Sequence, residues 1–151
     1  RKAPTDSSKA EKPLKKKKVE KSVCSVCNGD GNTIECTLCH VVVHPGCYGV
    51  QNLLTSDSDW LCARCNSWKA SGSTEKNPPK VKCVLCPSSR NYAMKQTQSG
   101  DWAHMACALW IPVTYFGDDT TLQPINGIDT IEKDRWELQC IVCKKKGKSN
   151  G

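Results

Sequence analysis

The chain has 151 residues, 12 of them Cys, and it carries 22 Lys and Arg against 15 Asp and Glu. Aromatic residues make up only 6% of the chain, so its apolar core is thin, and a small fold of this kind needs added cross-links. No run approaches the roughly 18 apolar residues of a transmembrane helix, which excludes a membrane span.

Residues 1–21 form a basic segment with nine Lys and Arg and three acids. Such a segment cannot bury apolar surface, so we expect a disordered tail without a secretory signal. Because disulfides are rare in proteins that are not exported, we expect the cysteines to hold metal as reduced thiolates. A Lys run in this tail resembles a monopartite nuclear localisation signal and could also contact phosphates, unless it is only a solvated segment. The run consists of Lys15, Lys16, Lys17 and Lys18.

The charge is distributed unevenly along the chain. Residues 144–151 add four Lys and no acid, whereas residues 22–143 have 9 basic side chains against 12 acidic ones. Zinc-bound thiolates would make this central part more acidic still. We therefore expect the body of the protein to bind basic partners and its two ends to bind anionic ones.

Eight candidate zinc ligands form four pairs, and two residues separate the members of each pair. The gap of two residues lets both side chains of a pair reach one metal, with Zn–S distances of about 2.3 Å. The pattern predicts two tetrahedral sites, a hairpin near Thr33–Glu35 and Val41–Val43, and a short helix after each His-x-x-Cys element. In chain order the ligands are Cys24, Cys27, Cys36, Cys39, His44, Cys47, Cys62 and Cys65.

This order of ligands, with Trp60 two residues before Cys62, resembles the PHD finger. In that family the first and third pairs share one zinc, and the second and fourth pairs share the other. The resemblance therefore implies a cross-brace with two tetrads: Cys24, Cys27, His44 and Cys47, and Cys36, Cys39, Cys62 and Cys65. A RING-type ubiquitin-ligase module is the alternative, but RING fingers place the His fourth or use other gaps around it. His40 is the rival imidazole, and we expect it to face solvent.

Residues 69–80, which contain Ser71-Gly72-Ser73 and Pro78-Pro79, are typical of a linker. A second Cys block after them offers a third zinc site made of Cys83, Cys86, His104 and Cys107. We expect a helix over Met105–Trp110, which Pro112 would end. The last two cysteines, Cys140 and Cys143, have no later His or Cys as partner and would form half of a fourth site.

Three segments of the second block resemble the knuckle of the extended PHD module, a PHD–knuckle–PHD unit. They are Gly100–Pro112, Leu122–Ile125 and Arg135–Cys143. This unit occurs in Jade and bromodomain–PHD-finger scaffolds of histone acetyltransferase complexes, in partners of a histone methyltransferase and in plant trithorax-like proteins. Because further ligands follow the last pair in that family, the resemblance implies a chain cut within its third zinc module, unless a second chain completes a fourth zinc site.

We predict a small zinc-stabilised α+β fold with little regular secondary structure. Its predicted parts are a basic tail at 1–21, a PHD finger at 22–68, a linker at 69–80, a knuckle with the first Cys pair of a second finger at 81–143, and a basic tail at 144–151. Protein side chains fill all four positions of each complete site, so none is left for a catalytic water, and we expect no enzyme activity. Each zinc contributes on the order of 10–16 kcal/mol of folding free energy in place of a larger core. We also expect four tryptophans to pack in that core: Trp60, Trp102, Trp110 and Trp136.

The resemblance to PHD fingers also implies a binding surface. PHD fingers bind the histone H3 tail as an added antiparallel strand, and here the strand that leads into Cys36 would receive it. The candidate contacts are Asp30, Asn32, Thr33, Ile34, Glu35, Asp57 and Asp59. By the same resemblance, Asp57 and Asp59 belong to the loop that binds the free amine of the tail. For the four acids, the alternative is a solvated face that only keeps the protein soluble.

Val42 stands two residues before His44, where readers of trimethyl-lysine commonly carry a cage Trp, and residues 24–47 contain no Tyr or Trp. Asp30 and Glu35 instead offer carboxylates to an unmethylated ammonium group. We therefore expect a nuclear chromatin reader of the H3 tail unmodified at its fourth-residue lysine, within a histone acetyltransferase or methyltransferase complex and without a membrane or small-molecule ligand. The alternatives are the ubiquitin-ligase module and a pure protein-docking scaffold.

Overall fold

A computed structural model describes residues 22–50, 59–73, 78–88, 90 and 92–137. Six short strands in this part pair into three antiparallel sheets: β1 (Ile34–Glu35) with β2 (Val42–Val43), β3 (Met94–Gln96) with β4 (Trp102–His104), and β5 (Tyr115–Phe116) with β6 (Ile125–Asn126). The helices are α1 (Pro45–Tyr48), α2 (Ala63–Ala70), α3 (Met105–Trp110) and α4 (Lys133–Glu137). None of these helices has the length and apolar character that a membrane span requires. The predicted tail with Lys15–Lys18, Asp57, Cys140 and Cys143 lie outside the described residues.

The strands β1 and β2 confirm the predicted hairpin. Ile34 pairs with Val43 and Glu35 with Val42. The connection between the strands is a tight turn, in which the N–H of Cys36 donates to the carbonyl oxygen of Val41 at 2.9 Å. A hairpin of this size has little stability by itself, so it depends on the ligand pair Cys36 and Cys39 at its turn.

The helices α1 and α3 begin directly after His44 and His104 and contain the following Cys, so each helix overlaps its His-x-x-Cys element and does not lie wholly after it. Pro45 suits the first position of α1, because the missing N–H has no intrahelical partner there. The predicted helix Met105–Trp110 is confirmed, and it ends before Pro112. The helix α2 continues to Ala70 and so enters the range predicted as a linker.

Two small cores hold the described part together, and the first core joins the first finger (residues 22–70) to the knuckle (residues 81–137). Its buried members include Val43, Tyr48 and Trp60 of the finger, together with Ala93 and Met105 of the knuckle. The rings of Tyr48 and Trp60 meet edge to face with centroids 5.4 Å apart. The second core lies within the knuckle and consists of Cys83, Leu85, Met94, Ala103, Ala108 and Ile125.

The prediction that four tryptophans pack in the core is wrong for Trp110. Trp60 is buried, and Trp102 and Trp136 pack partly buried against the second core, but Trp110 is 85% exposed. The helix α3 buries Met105 and Ala108, which are three residues apart on one face. Trp110 lies about half a turn beyond that face, because successive helical residues are rotated by about 100°.

Candidate metal centres and peptide-binding edge

Twelve side chains form three groups of metal-ligand atoms, and within each group all the atoms lie within 4.8 Å of one another. The structure thus brings together the same tetrads that the resemblance implied. Two groups mix three cysteines with one histidine, and the third contains cysteines alone. The first mixed cluster consists of Cys24, Cys27, His44 and Cys47. The all-cysteine cluster consists of Cys36, Cys39, Cys62 and Cys65. The second mixed cluster consists of Cys83, Cys86, His104 and Cys107.

The donor separations fit a tetrahedral zinc ion. In the first mixed cluster the Nδ1 atom of His44 lies 3.3 Å from the sulfur of Cys27 and 3.7 Å from that of Cys47. His104 of the second mixed cluster has the same two separations from its sulfurs, 3.3 Å and 3.7 Å. With Zn–S bonds of about 2.3 Å and Zn–N bonds of about 2.0 Å, the edge of a tetrahedron is about 3.5 Å. Both histidines therefore offer Nδ1 as the ligand atom.

Main-chain N–H groups support the buried sulfurs as thiolates. The sulfur of Cys24 accepts from the N–H of His44 at 3.2 Å, and the sulfur of Cys36 accepts from that of Cys62 at 3.3 Å. Cys83 accepts two such bonds, each of 3.3 Å. Burial raises the pKa of Cys24, but main-chain and side-chain hydrogen bonds to its sulfur lower that pKa from 9.0 to about 7. These contacts orient the ligands and favour the charged form that zinc requires.

The first mixed cluster and the all-cysteine cluster interleave along the chain, which makes the first finger a cross-brace. The first mixed cluster joins the start of the finger to α1, and the all-cysteine cluster joins the hairpin turn to the start of α2. The four protein ligands of each cluster complete a tetrahedron, the arrangement of structural rather than catalytic zinc. The role of these sites is therefore structural, because each bound zinc holds distant parts of the backbone together.

The outer edge of β1 offers main-chain groups to an added strand. Cys36 and Val41 form a hydrogen-bonded pair, so the next pair along the ladder, Glu35 with Val42, is a non-hydrogen-bonded pair. The N–H and C=O of Glu35 therefore point away from β2. The opposite edge of the hairpin is occupied, because Val42 accepts from the N–H of Ser25 at 2.8 Å. Within the described part of the chain, the edge at Glu35 has no main-chain partner.

Four of the predicted peptide contacts lie on or directly before this open edge. Asn32 and Thr33 lead into β1, which consists of Ile34 and Glu35. At its other end the edge meets the residues before α2, because the N–H of Thr37 donates to the carbonyl oxygen of Trp60 at 3.0 Å. The carboxyl groups of two further candidates, Asp30 and Asp59, belong to exposed residues.

Two arrangements escape the sequence reasoning. His40 faces solvent as predicted, but its Nδ1 atom also lies 2.7 Å from a carboxylate oxygen of Glu35, a contact that was not predicted. Lys95 is buried, with only 3% of its surface exposed, and its ammonium lies 4.2 Å from the centroid of the Tyr48 ring. Neither arrangement has a signal in the sequence, because a His does not indicate the left-handed turn after Cys39 and a lone Lys in a strand gives no sign of burial.

Similarity to known protein families agrees with these three zinc clusters. Residues 31–66 match the PHD-finger family, and residues 81–151 match the family described as PHD-zinc-finger like domain. The chain therefore contains a PHD finger followed by a PHD-like zinc-finger domain. The two matched regions follow one another along the chain, with the PHD finger first.

Relatives and a solved structure place the chain more closely within this class. It is 40% identical over 133 residues to the human Bromodomain and PHD finger-containing protein 3, a match that covers 85% of this chain and 10% of that protein. It is 39% identical over 126 residues to the Histone H3-lysine(4) N-trimethyltransferase ATX1 of Arabidopsis thaliana, covering 80% and 11%. A crystal structure of the zebrafish PHF14-PZP, 29% identical, matches with a TM-score of 0.59 over 83% of this chain and 63% of that one. The chain thus spans about a tenth of the length of these two relatives.

Proposed function

We propose that this chain is a nuclear chromatin reader whose first finger takes the histone H3 tail as an added strand on β1. The observation that carries the proposal is the open edge at Glu35, whose main-chain groups face away from β2. Main-chain hydrogen bonds along such an edge give affinity for an extended peptide, and the neighbouring side chains select it.

The side chains around this edge favour a basic peptide that carries no methyl groups on its lysine. Glu35 and Asp30 are exposed carboxylates, and the described residues of the hairpin include no Phe, Tyr or Trp side chain that could form a cage. A carboxylate accepts hydrogen bonds from an ammonium group, and trimethylation removes every N–H donor of that group. We propose that the fourth-residue lysine of the tail lies beside Glu35, and that the free amine of the tail lies near Asp59.

The names of the relatives support a chromatin setting. One relative is named as a bromodomain and PHD-finger protein and another as a histone H3 methyltransferase. We propose that the parent protein of this chain belongs to a histone acetyltransferase or methyltransferase complex, and that its basic ends add affinity for nucleosomal DNA by contacting phosphates. The chain itself would then bind and recruit, and would not catalyse.

Calorimetric titration of the zinc-loaded chain with H3 tail peptides tests the proposal. We expect micromolar binding of the unmodified peptide, with weaker binding of the peptide trimethylated at the fourth residue. Glu35→Gln should weaken the unmodified complex by roughly threefold to tenfold, because it removes the charge from a hydrogen bond to an ammonium. Glu132→Gln, which changes an exposed acid of the knuckle, is the matched control and should leave affinity unchanged. Equal or tighter binding of the trimethylated peptide would contradict the selectivity that we propose.

A docking scaffold is the second candidate, and one observation favours it. The end of α3 and the residues after it expose a set of large apolar side chains, among them Trp110 at 85%. The set consists of Leu109, Trp110, Val113 and Tyr115. Recruitment of the chain to nucleosomes in the presence of its complex separates the two candidates. Recruitment that survives Glu35→Ala but is lost in Trp110→Ser would favour docking over histone reading.

A further inference from the structure

We infer that His40 is a positioning residue that sets the selectivity of the β1 edge for an unmethylated ammonium by fixing the carboxylate of Glu35. This inference rests on the proposed function. Its basis is the contact between the Nδ1 atom of His40 and the Oε1 atom of Glu35, at 2.7 Å. Both side chains are largely exposed, 73% for His40 and 56% for Glu35, so this hydrogen bond rather than close packing determines where the carboxylate lies.

The backbone holds the imidazole in place. His40 has a φ of 59°, in the left-handed region that favours Asn and Gly, and its N–H donates to the carbonyl oxygen of Cys36 at 2.9 Å. This turn lies between the ligand Cys39 and the strand residue Val41, so the zinc site and the hairpin fix it from both sides. The turn therefore places the imidazole ring beside Glu35 of β1. A Gly at this position would fit the turn but has no side chain to make the contact.

The contact leaves the carboxylate ready for a ligand. One oxygen of Glu35 is occupied by the imidazole, while the second oxygen retains its lone pairs for an ammonium group. A free Glu side chain loses rotamer entropy when a ligand orders it. Because His40 orders this side chain beforehand, the peptide lysine has less of that entropy to offset. A trimethylated lysine keeps its charge but has no N–H to donate, so it gains less from the orientation than an unmodified lysine does.

A double-mutant cycle tests the inference through the ratio of affinities for the unmodified and trimethylated H3 tail peptides. His40→Gly suits the left-handed backbone and removes the ring, and we expect it to reduce the affinity ratio by roughly 1.5-fold to fivefold, the range of exposed ion pairs. In a Glu35→Gln background the same substitution should change the ratio little. Asn28→Gly is the matched control, since Asn28 also follows a zinc ligand with a positive φ, of 60°, and it should not alter the ratio.

A measurement without peptide keeps the contact itself testable. In NMR spectra of the free, zinc-loaded chain, His40→Gly should shift the side-chain carboxyl carbon of Glu35, while Asn28→Gly should not. An unchanged Glu35 carboxyl resonance, or an affinity ratio that His40→Gly leaves intact while the wild-type chain binds, would overturn the role of His40 and leave the reader function standing. Absence of peptide binding by the wild-type chain, with the carboxyl shift present, would instead overturn the reader function and the selectivity role together.

Discussion

The hydroxyl of Tyr48 in the first finger donates a hydrogen bond of 2.7 Å to the carbonyl oxygen of Met94 in the knuckle. The same hydroxyl accepts from the N–H of Ala63, the first residue of α2, at 2.9 Å. Tyr48 is buried, and burial raises the pKa of its phenol far above the ordinary value, so the hydroxyl stays protonated and able to donate. One side chain thus joins the hairpin half of the finger, α2 and the knuckle.

We predict that Tyr48→Phe destabilises the described part of the protein. The substitution keeps the ring but leaves the N–H of Ala63 and the carbonyl of Met94 without their partner, and each unsatisfied buried group costs about 1–3 kcal/mol. Thermal or denaturant unfolding of the zinc-loaded chain measures the loss, which we expect to be about 2–4 kcal/mol in total. Tyr115→Phe removes the hydroxyl of an exposed Tyr and should have no measurable effect. Equal stability of the two variants would show that the Tyr48 contacts do not join finger and knuckle.

We predict opposite effects for two glycines of the finger that are only three positions apart. Gly49 has a φ of 68°, and a Cβ there would lie 2.5 Å from the carbonyl carbon of Thr121 in the knuckle, so Gly49→Ala should separate the two parts and destabilise the chain by more than about 2 kcal/mol. A Cβ on Gly46 would meet nothing within 4 Å. Gly46 lies in α1, so Gly46→Ala should be neutral or stabilise by up to about 1 kcal/mol. Denaturant unfolding distinguishes the two, and a tolerated Gly49→Ala would contradict the close approach of Thr121.

We predict that removal of zinc unfolds the finger and the knuckle together. Each cluster contributes binding free energy that exists only in the folded state, and the cores between the clusters are too small to replace it. Addition of a strong chelator should abolish the near-ultraviolet circular dichroism of the buried Trp60, and zinc should restore it. A Cys83→Ser variant should lose one zinc by elemental analysis, whereas Ser88→Ala, outside every cluster, should lose none. Native tertiary signals after complete metal removal would contradict a structural role for the ions.

The buried Lys95 predicts a specific dependence of stability on pH. Burial lowers the pKa of Lys95 from 10.5 to about 8, although the Cys62 thiolate opposes the shift. Between these two values the unfolded chain binds more protons than the folded chain, so the free energy of unfolding should rise with pH in that window. Lys95→Met should remove this contribution, and Lys82→Met, at an exposed site, should not. Unfolding measured at about pH 8 and about pH 10 checks the difference, and a slope that Lys95→Met does not reduce would refute the assignment.

Ligand spacing was informative about local structure because zinc geometry is local. The gap of two residues predicted the ligand pairs, the resemblance to the PHD finger implied which pairs share one ion, and the fold forms those clusters. The helix predicted over Met105–Trp110 is α3, which ends before Pro112. The prediction that Trp110 packs in the core rested only on its residue type. Trp110 lies outside because a helix of six residues buries one face only, and that face belongs to Met105 and Ala108.

The contacts between finger and knuckle could not be predicted. They join residues that are far apart in the chain and whose types do not indicate a contact. Lys95 donates to the carbonyl oxygen of Thr121 at 2.8 Å, and nothing in a lone strand Lys distinguishes it from a solvated one. The contact between His40 and Glu35 depends on a left-handed turn. An Asn or Gly at position 40 would have indicated such a turn, whereas a His does not.

The most direct test of the account is NMR mapping of the amide groups of the zinc-loaded chain during titration with unmodified H3 tail peptide. We predict that the largest shifts fall on Thr33, Ile34 and Glu35, and that the N–H of Glu35 becomes protected from exchange as it enters a new ladder. Smaller shifts should reach Trp60, which lies at the end of that edge. Binding with shifts confined to the knuckle, or no shift at all, would contradict the proposal that β1 receives the histone tail.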